Sequence, residues 1–183
     1  MDYLACFGDS LVQGFPFGKE ASWVAALEAS GEIKVLNYGL CGDCVDDIFD
    51  RMKYRPLPDT VKHIVFLGGA NDILQGVPEK FTMNILSKVV SWCEGKGYRL
   101  CLVLPLLSAD AYMNRYLLNL RQEIELKFGE RVYLLDLQPA IGLDEGARAK
   151  AYLDGVHPTV ITYKSMGEYA RPLLLKWMKD DRN

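Results

Sequence analysis

Five short, strongly apolar runs, at residues 3–7, 33–37, 64–67, 100–104 and 132–135, constrain this chain more than any other feature. A strand with one wet side alternates apolar and polar residues, whereas a strand covered on both faces reads as near-continuous hydrophobicity. The runs therefore predict strands of a parallel sheet. Between them lie segments with helical spacing. Met113, Leu117, Leu120, Ile124 and Phe128 fall on one face, with Asp110 as N-cap and Gly129 just past the end. Residues 81–93 carry a similar stripe through Ile85, Leu86, Val89, Val90 and Cys93, and residues 23–27 are amphipathic up to Ser30-Gly31. A final helix over 159–178 turns Met166, Ala170, Leu173, Leu174 and Trp177 inward, and Pro172 is expected to kink it.

Alternating strands and helices joined by right-handed crossovers give an α/β class fold, a three-layer α/β/α sandwich on a flavodoxin-like five-stranded parallel sheet. With 183 residues, one domain over 1–183 is expected. Such sheets carry their chemistry outside the carboxyl ends of the strands, which sets a test for any candidate residue. The formal net charge of −3 offers no surface for nucleic acid or anionic membrane. No apolar run reaches the roughly 18 residues of a membrane span. Met1-Asp2-Tyr3-Leu4 lacks the basic region of a signal peptide, so a cytoplasmic location is expected.

Five cysteines, scattered and odd in number, read as free thiols of a reducing compartment. Cys41-Gly42-Asp43-Cys44 has the C-x-x-C spacing, but it follows the second strand rather than the first. A zinc site would need two more ligands, and the histidines are only His63 and His157. Neither a metal nor an organic cofactor is expected.

Four segments carry chemistry. The first strand runs into Phe7-Gly8-Asp9-Ser10-Leu11, which places a serine hydroxyl at the catalytic edge, although Gly-Asp-Ser is also ordinary turn chemistry. A serine nucleophile needs a base. His63 precedes the run 64–67 and so sits at the amino end of the third strand, the wrong edge, whereas His157 follows the fifth in Asp154-Gly155-Val156-His157-Pro158. If His157 enters the last helix, Asp154 lies three residues back and can fix its tautomer. The third strand ends in Leu67-Gly68-Gly69-Ala70-Asn71-Asp72, a carboxamide beside two glycines, and the second in Asn37-Tyr38-Gly39-Leu40-Cys41-Gly42-Asp43, where Gly42 offers an open N–H. Each is a turn by itself; together they share one edge.

These four blocks resemble those of the SGNH (GDSL-type) hydrolases, in order and over most of the chain. Phe7-Gly8-Asp9-Ser10-Leu11-Val12-Gln13-Gly14 is similar to the first block, Gly39-Leu40-Cys41-Gly42-Asp43 to the second, Gly69-Ala70-Asn71-Asp72 to the third, and Asp154-Gly155-Val156-His157-Pro158 to the last. The resemblance implies Ser10 as nucleophile, His157 as general base and acid, and Asp154 as its orienter. It also implies an oxyanion hole from the Ser10 and Gly42 N–H groups and the Asn71 side chain. Two departures touch neither: Cys44 stands where many members carry threonine, and Thr162 where a glycine is common.

The implied activity is hydrolysis of short- to medium-chain acyl esters or thioesters through an acyl-enzyme. The alternatives are a deacetylase of carbohydrate or another small acetylated metabolite, and a non-catalytic ligand-binding α/β module. The substrate is then a small-molecule acyl ester. Leu11, Leu74 and Leu106 follow strand ends on the catalytic edge and are the expected acyl-binding residues, with Phe15, Phe17, Ile73 and Leu107 as further candidates. The loop Gln75-Gly76-Val77-Pro78-Glu79 is expected to shape acyl preference.

Overall fold

Alternation along each buried strand sends neighbouring side chains to opposite faces, and the computed structural model, which describes residues 2–180, sorts them accordingly. Leu4 and Cys6 join one hydrophobic cluster, Ala5 and Phe7 another, and all four are fully buried. Val65, Cys101 and Val103 repeat the first choice; Ile64, Phe66, Leu100 and Leu102 repeat the second. The strands are β1 (Asp2–Gly8), β2 (Ile33–Gly39), β3 (Val61–Leu67), β4 (Arg99–Val103) and β5 (Tyr133–Leu135). They pair in parallel in the order β2-β1-β3-β4-β5, the flavodoxin-like arrangement the sequence predicts.

Helices cover both faces. On one lie α2 (Trp23–Ala26) and α9 (Val160–Lys179), through Trp23, Val24, Tyr163, Met166, Ala170 and Leu174. On the other lie α3 (Val45–Tyr54), α5 (Glu79–Lys96) and α6 (Ala111–Phe128). The remaining helical pieces are short: α1 (Ser10–Gln13), α4 (Ala70–Leu74), α7 (Gln138–Ile141) and α8 (Glu145–Ala151). Asp110 caps α6 as expected, its carboxylate accepting from Tyr112 N–H at 2.8 Å. Helix α9 runs through Pro172. The ring and Glu168, whose carbonyl it leaves without an amide donor, both lie on the exposed side, where that carbonyl is open to solvent.

The chain leaves β1 for β2 on one side and for β3 on the other. The strand order reverses at that point and opens a crevice above β1. The loops after β1, β2 and β3 all enter it. Among the described residues no helix is long and apolar enough to cross a membrane.

Candidate active site

Gly8 ends β1 where a side chain has no room, since a Cβ would stand 2.3 Å from Val12 Cγ2 and 2.7 Å from the Leu67 carbonyl oxygen. This close approach lets the chain turn at once into α1. Asp9 caps that helix, its carboxylate accepting from Leu11 N–H at 2.9 Å, and Ser10 is its first residue. Asp9 is 1% exposed. Burial pushes its carboxyl up to about 7, against the pull of the Leu11 N–H and with a further push from Asp72.

The partner of Ser10 comes from a tight loop rather than a helix. Tyr152 and Pro158 form an antiparallel bridge, and Leu153 N–H donates to the His157 carbonyl at 2.8 Å. Inside this loop, one Asp154 oxygen accepts from Val156 N–H at 3.0 Å and His157 N–H at 2.8 Å. The other meets His157 Nδ1 at 2.7 Å. His157 therefore precedes α9 instead of entering it, and an Asp-centred turn supplies the three-residue proximity expected from a helix. His157 Nε2 reaches Ser10 Oγ at 3.1 Å, and the Phe15 ring lies 4.7 Å from the imidazole.

Burial pushes the Asp154 carboxyl up, but the His157 N–H, the imidazole and the Val156 N–H outweigh it and bring it to about 2. The carboxylate is thus ionised at neutral pH and accepts a proton bond from Nδ1. That leaves Nε2 as the acceptor for the serine hydroxyl. Hydroxyl, imidazole and carboxylate in this series can pass a proton to the ring while the carboxylate balances its charge.

Donors come from the loops after β2 and β3. Asn71, in the first turn of α4, gives one Nδ2 hydrogen to the Asp43 carbonyl at 2.8 Å, which holds the amide and leaves its second hydrogen free. Gly42 adopts φ +88°, with open space around it. Among the described residues neither the Ser10 nor the Gly42 N–H has a protein acceptor. Three unspent donors on one edge can stabilise an oxyanion.

Ser10, Leu11, Asn71, Leu74, Asp154 and His157 line one cavity of about 160 Å3, with Asp9, Ala70 and Val156. Gly42 stands beside it, tied through the Asp43 bond to Asn71. Leu106 does not belong. It is 4% exposed, packed into the cluster under α2 and α9, and it lines no described cavity. Its position after β4 is as expected, but the connection that follows Val103 turns its side chain into the core.

A second cavity of about 580 Å3 shares Leu74 as a wall. Val77 and Pro78 line it from the expected loop and Ile73 from α4, with Tyr112, Met113, Tyr116 and Leu120 contributed by α6. The α6 residues escaped the sequence reading. The available signal was a pair of tyrosines four residues apart on the border of an apolar stripe. Their hydroxyls meet at 3.0 Å.

Cys41 is exposed and Cys44 buried, both as free thiols. Cys44 stands at the N-cap of α3, where its N–H donates to Asp47 at 3.1 Å. Burial, then Asp72, Asp47, Asp46 and Asp43, push its thiol up to about 12, so it is protonated at neutral pH and a poor redox partner. Cys44, Asp46 and Asp47 are the one group among the described residues with metal-ligand spacing. They do not line the Ser10 cavity.

An α/β sandwich with a serine, a histidine and an aspartate in hydrogen-bonded series at the strand ends is the architecture of a hydrolase. Residues 6–164 match the model of the GDSL-like lipase/acylhydrolase family, and the chain belongs to it. An arylesterase from Vibrio mimicus is 31% identical over 99 residues, a stretch spanning 51% of this chain and 50% of that protein. Among solved structures, a lipolytic protein of the G-D-S-L family from Desulfitobacterium hafniense superposes with a TM-score of 0.85 at 23% identity, covering 94% of this chain and 99% of the other. The acetylxylan esterase Axe2 from Geobacillus stearothermophilus gives 0.76 at 19%, covering 93% of each. These likenesses concern the fold.

Proposed function

We propose that this chain hydrolyses carboxylic ester or thioester bonds of short- to medium-chain acyl substrates through a covalent acyl-enzyme. The observation that carries the reading is the series from Ser10 Oγ to His157 Nε2, at 3.1 Å, and from His157 Nδ1 to Asp154, at 2.7 Å. Ser10 Oγ attacks the substrate carbonyl carbon as its proton passes to Nε2. The resulting oxyanion takes the Ser10 and Gly42 N–H groups and the free Asn71 amide hydrogen. On collapse, His157 returns the proton to the leaving alcohol or thiol. A water then gives a proton to Nε2 and attacks the acyl carbon, and collapse frees the acid and restores Ser10.

The two cavities bear on the substrate. The volume beside Ser10, about 160 Å3, holds the reacting ester and a small acyl group. The larger volume across Leu74, mostly apolar, receives the longer chain.

Initial rates on p-nitrophenyl esters from acetyl to dodecanoyl, for wild type and Ser10→Ala, test the reading. Expected are turnover that vanishes in the variant and an optimum beyond acetyl. An optimum fixed at acetyl favours the deacetylase reading, which the small volume at Ser10 supports. Activity retained in Ser10→Ala sinks the assignment of the nucleophile.

A further inference from the structure

Arg51 lies in the last turn of α3, outside the Ser10 cavity, yet its guanidinium reaches three acceptors in the backbone and loop around that cavity. Nε and one terminal nitrogen both meet the Asp43 carboxylate at 2.6 Å; that terminal nitrogen also donates to the Gly8 carbonyl at 3.1 Å, and the other donates to the Tyr38 carbonyl at 2.8 Å. Tyr38 and Gly8 sit at the paired carboxyl ends of β2 and β1. Gly8 leads two residues later to Ser10, and Tyr38 four residues later to Gly42. Asp43 is the third anchor, because its own carbonyl receives the Asn71 amide at 2.8 Å. Each of the three oxyanion donors is thus one short covalent or hydrogen-bonded step from a single cation.

Among the described residues the loop that carries Gly42 has few other ties. They are Leu40 N–H to the Gly8 carbonyl at 3.0 Å, Cys41 N–H to Gln13 Oε1 at 2.6 Å, Gln75 Nε2 to the Gly42 carbonyl at 3.3 Å, and a long Asp43 N–H bond to Leu40 at 3.4 Å. The Asp43 side chain is 12% exposed. Removing Arg51 leaves a mostly buried carboxyl without its cation, with Asp46 and Asp47 repelling it. The loop then relieves the charge by moving outward, and Gly42 and Asn71 move with it.

We propose that Arg51 is a positioning residue that sets the spacing of the oxyanion donors by clamping the ends of β1 and β2 to Asp43. The proposal rests on the Ser10 hydrolase reading. A planar fork is required for three acceptors in different directions, which a lysine ammonium cannot reproduce.

The test compares wild type, Arg51→Met, Arg51→Lys and Ser10→Ala on a p-nitrophenyl ester, and measures inhibition by an alkyl boronic acid. The boronic acid forms a tetrahedral adduct on the serine, with an oxygen in the oxyanion position, so its affinity reports the donors directly. Displacement of a catalytic group by about 1 Å costs on the order of 10²-fold. Expected for Arg51→Met is a fall in kcat of about 10- to 100-fold, with KM within about threefold and boronic acid affinity weakened by the same factor. Arg51→Lys should recover only part of both. Unchanged kcat and boronic acid affinity in a folded Arg51→Met overturn the proposal while leaving the Ser10 reading intact. If Arg51→Met does not fold, Arg51→Lys decides: wild-type values overturn it, and a parallel loss of kcat and boronic acid affinity supports it. Full activity in Ser10→Ala identifies failure of the underlying reading instead.

Discussion

Asp154 grips His157 twice, through the backbone N–H at 2.8 Å and through ring Nδ1 at 2.7 Å. Because each bond uses a different carboxylate oxygen, the side chain fixes both the position of the loop and the plane of the ring. With the carboxyl held near 2, this arrangement stays ionised over the whole range in which esterases are assayed. The folded value lies below the unfolded one, near 3.9. Its contribution to stability is therefore present above that value and is lost only as pH falls toward 2.

Asp154→Asn keeps the shape but presents an amide nitrogen or a neutral oxygen to Nδ1. A wrong tautomer in an analogous triad costs about 10⁴ in turnover. Here a loss of about 10²–10⁴ in kcat is expected, with little change in KM and a normal circular dichroism spectrum. A variant within threefold of wild type would remove Asp154 from the proton relay.

Asn71→Ala removes one donor and frees the Asp43 carbonyl. Loss of a single oxyanion donor typically costs 10²–10³ in turnover. A fall of about that size is expected in kcat rather than KM, because in the proposed mechanism the amide meets the oxyanion and not the ground-state ester. Steady-state kinetics separate the two, and an effect confined to KM would mean that Asn71 only binds substrate.

The strands were legible because burial on both faces writes itself into composition. Leu4 to Phe7 are apolar whichever way they point, so no knowledge of the partner layers was needed. Val61 and Lys62 extended β3 unforeseen: Val61 pairs with Tyr3 and His63 with Leu4 of β1, and Lys62 sits at the register shift between them. The positions of Ser10, Asn71, Asp154 and His157 were legible through motif chemistry. The conformation that joins the last two was not, because a turn and a helix both bring residues three apart together. Leu106 shows a further limit: distance from a strand end gives the edge of the sheet, but beyond Val103 the backbone is irregular and no period says which way a side chain turns. The α6 wall of the larger cavity arises where two remote segments approach; the spacing of Tyr112 and Tyr116 marks the border of an apolar stripe but does not say what faces it.

Asp9 offers a test independent of activity. Its folded carboxyl is raised to about 7 by burial, with Asp72 and Asp43 adding to the push, whereas the unfolded value is near 3.9. Between those values the folded chain holds a proton that the unfolded chain has lost, so stability falls as pH rises through this window. The full penalty above pH 7 is on the order of 4 kcal/mol. Asp9→Asn retains an oxygen for the Leu11 N–H and carries no charge. Urea unfolding at pH 5 and pH 8 should show the variant gaining on wild type by a few kcal/mol at the higher pH. An equal difference at both values would mean that Asp9 titrates normally.

Leu74 is 59% exposed on the short α4, where it divides the volume beside Ser10 from the larger one under α6. Leu74→Ala removes no core contact of consequence, so the melting temperature should move little. It does remove the partition. The two spaces, about 160 and 580 Å3, then run together, and an acyl chain can reach Met113 and Leu120 without skirting the leucine. Each methylene newly buried in an apolar wall is worth roughly 0.8 kcal/mol, or about fourfold in kcat/KM. The p-nitrophenyl series should therefore show a longer optimum in Leu74→Ala and little change for acetyl. Val77→Trp fills the same cavity from the opposite wall and should shorten the optimum. Identical chain-length profiles in both variants and wild type would place the acyl chain elsewhere on the surface.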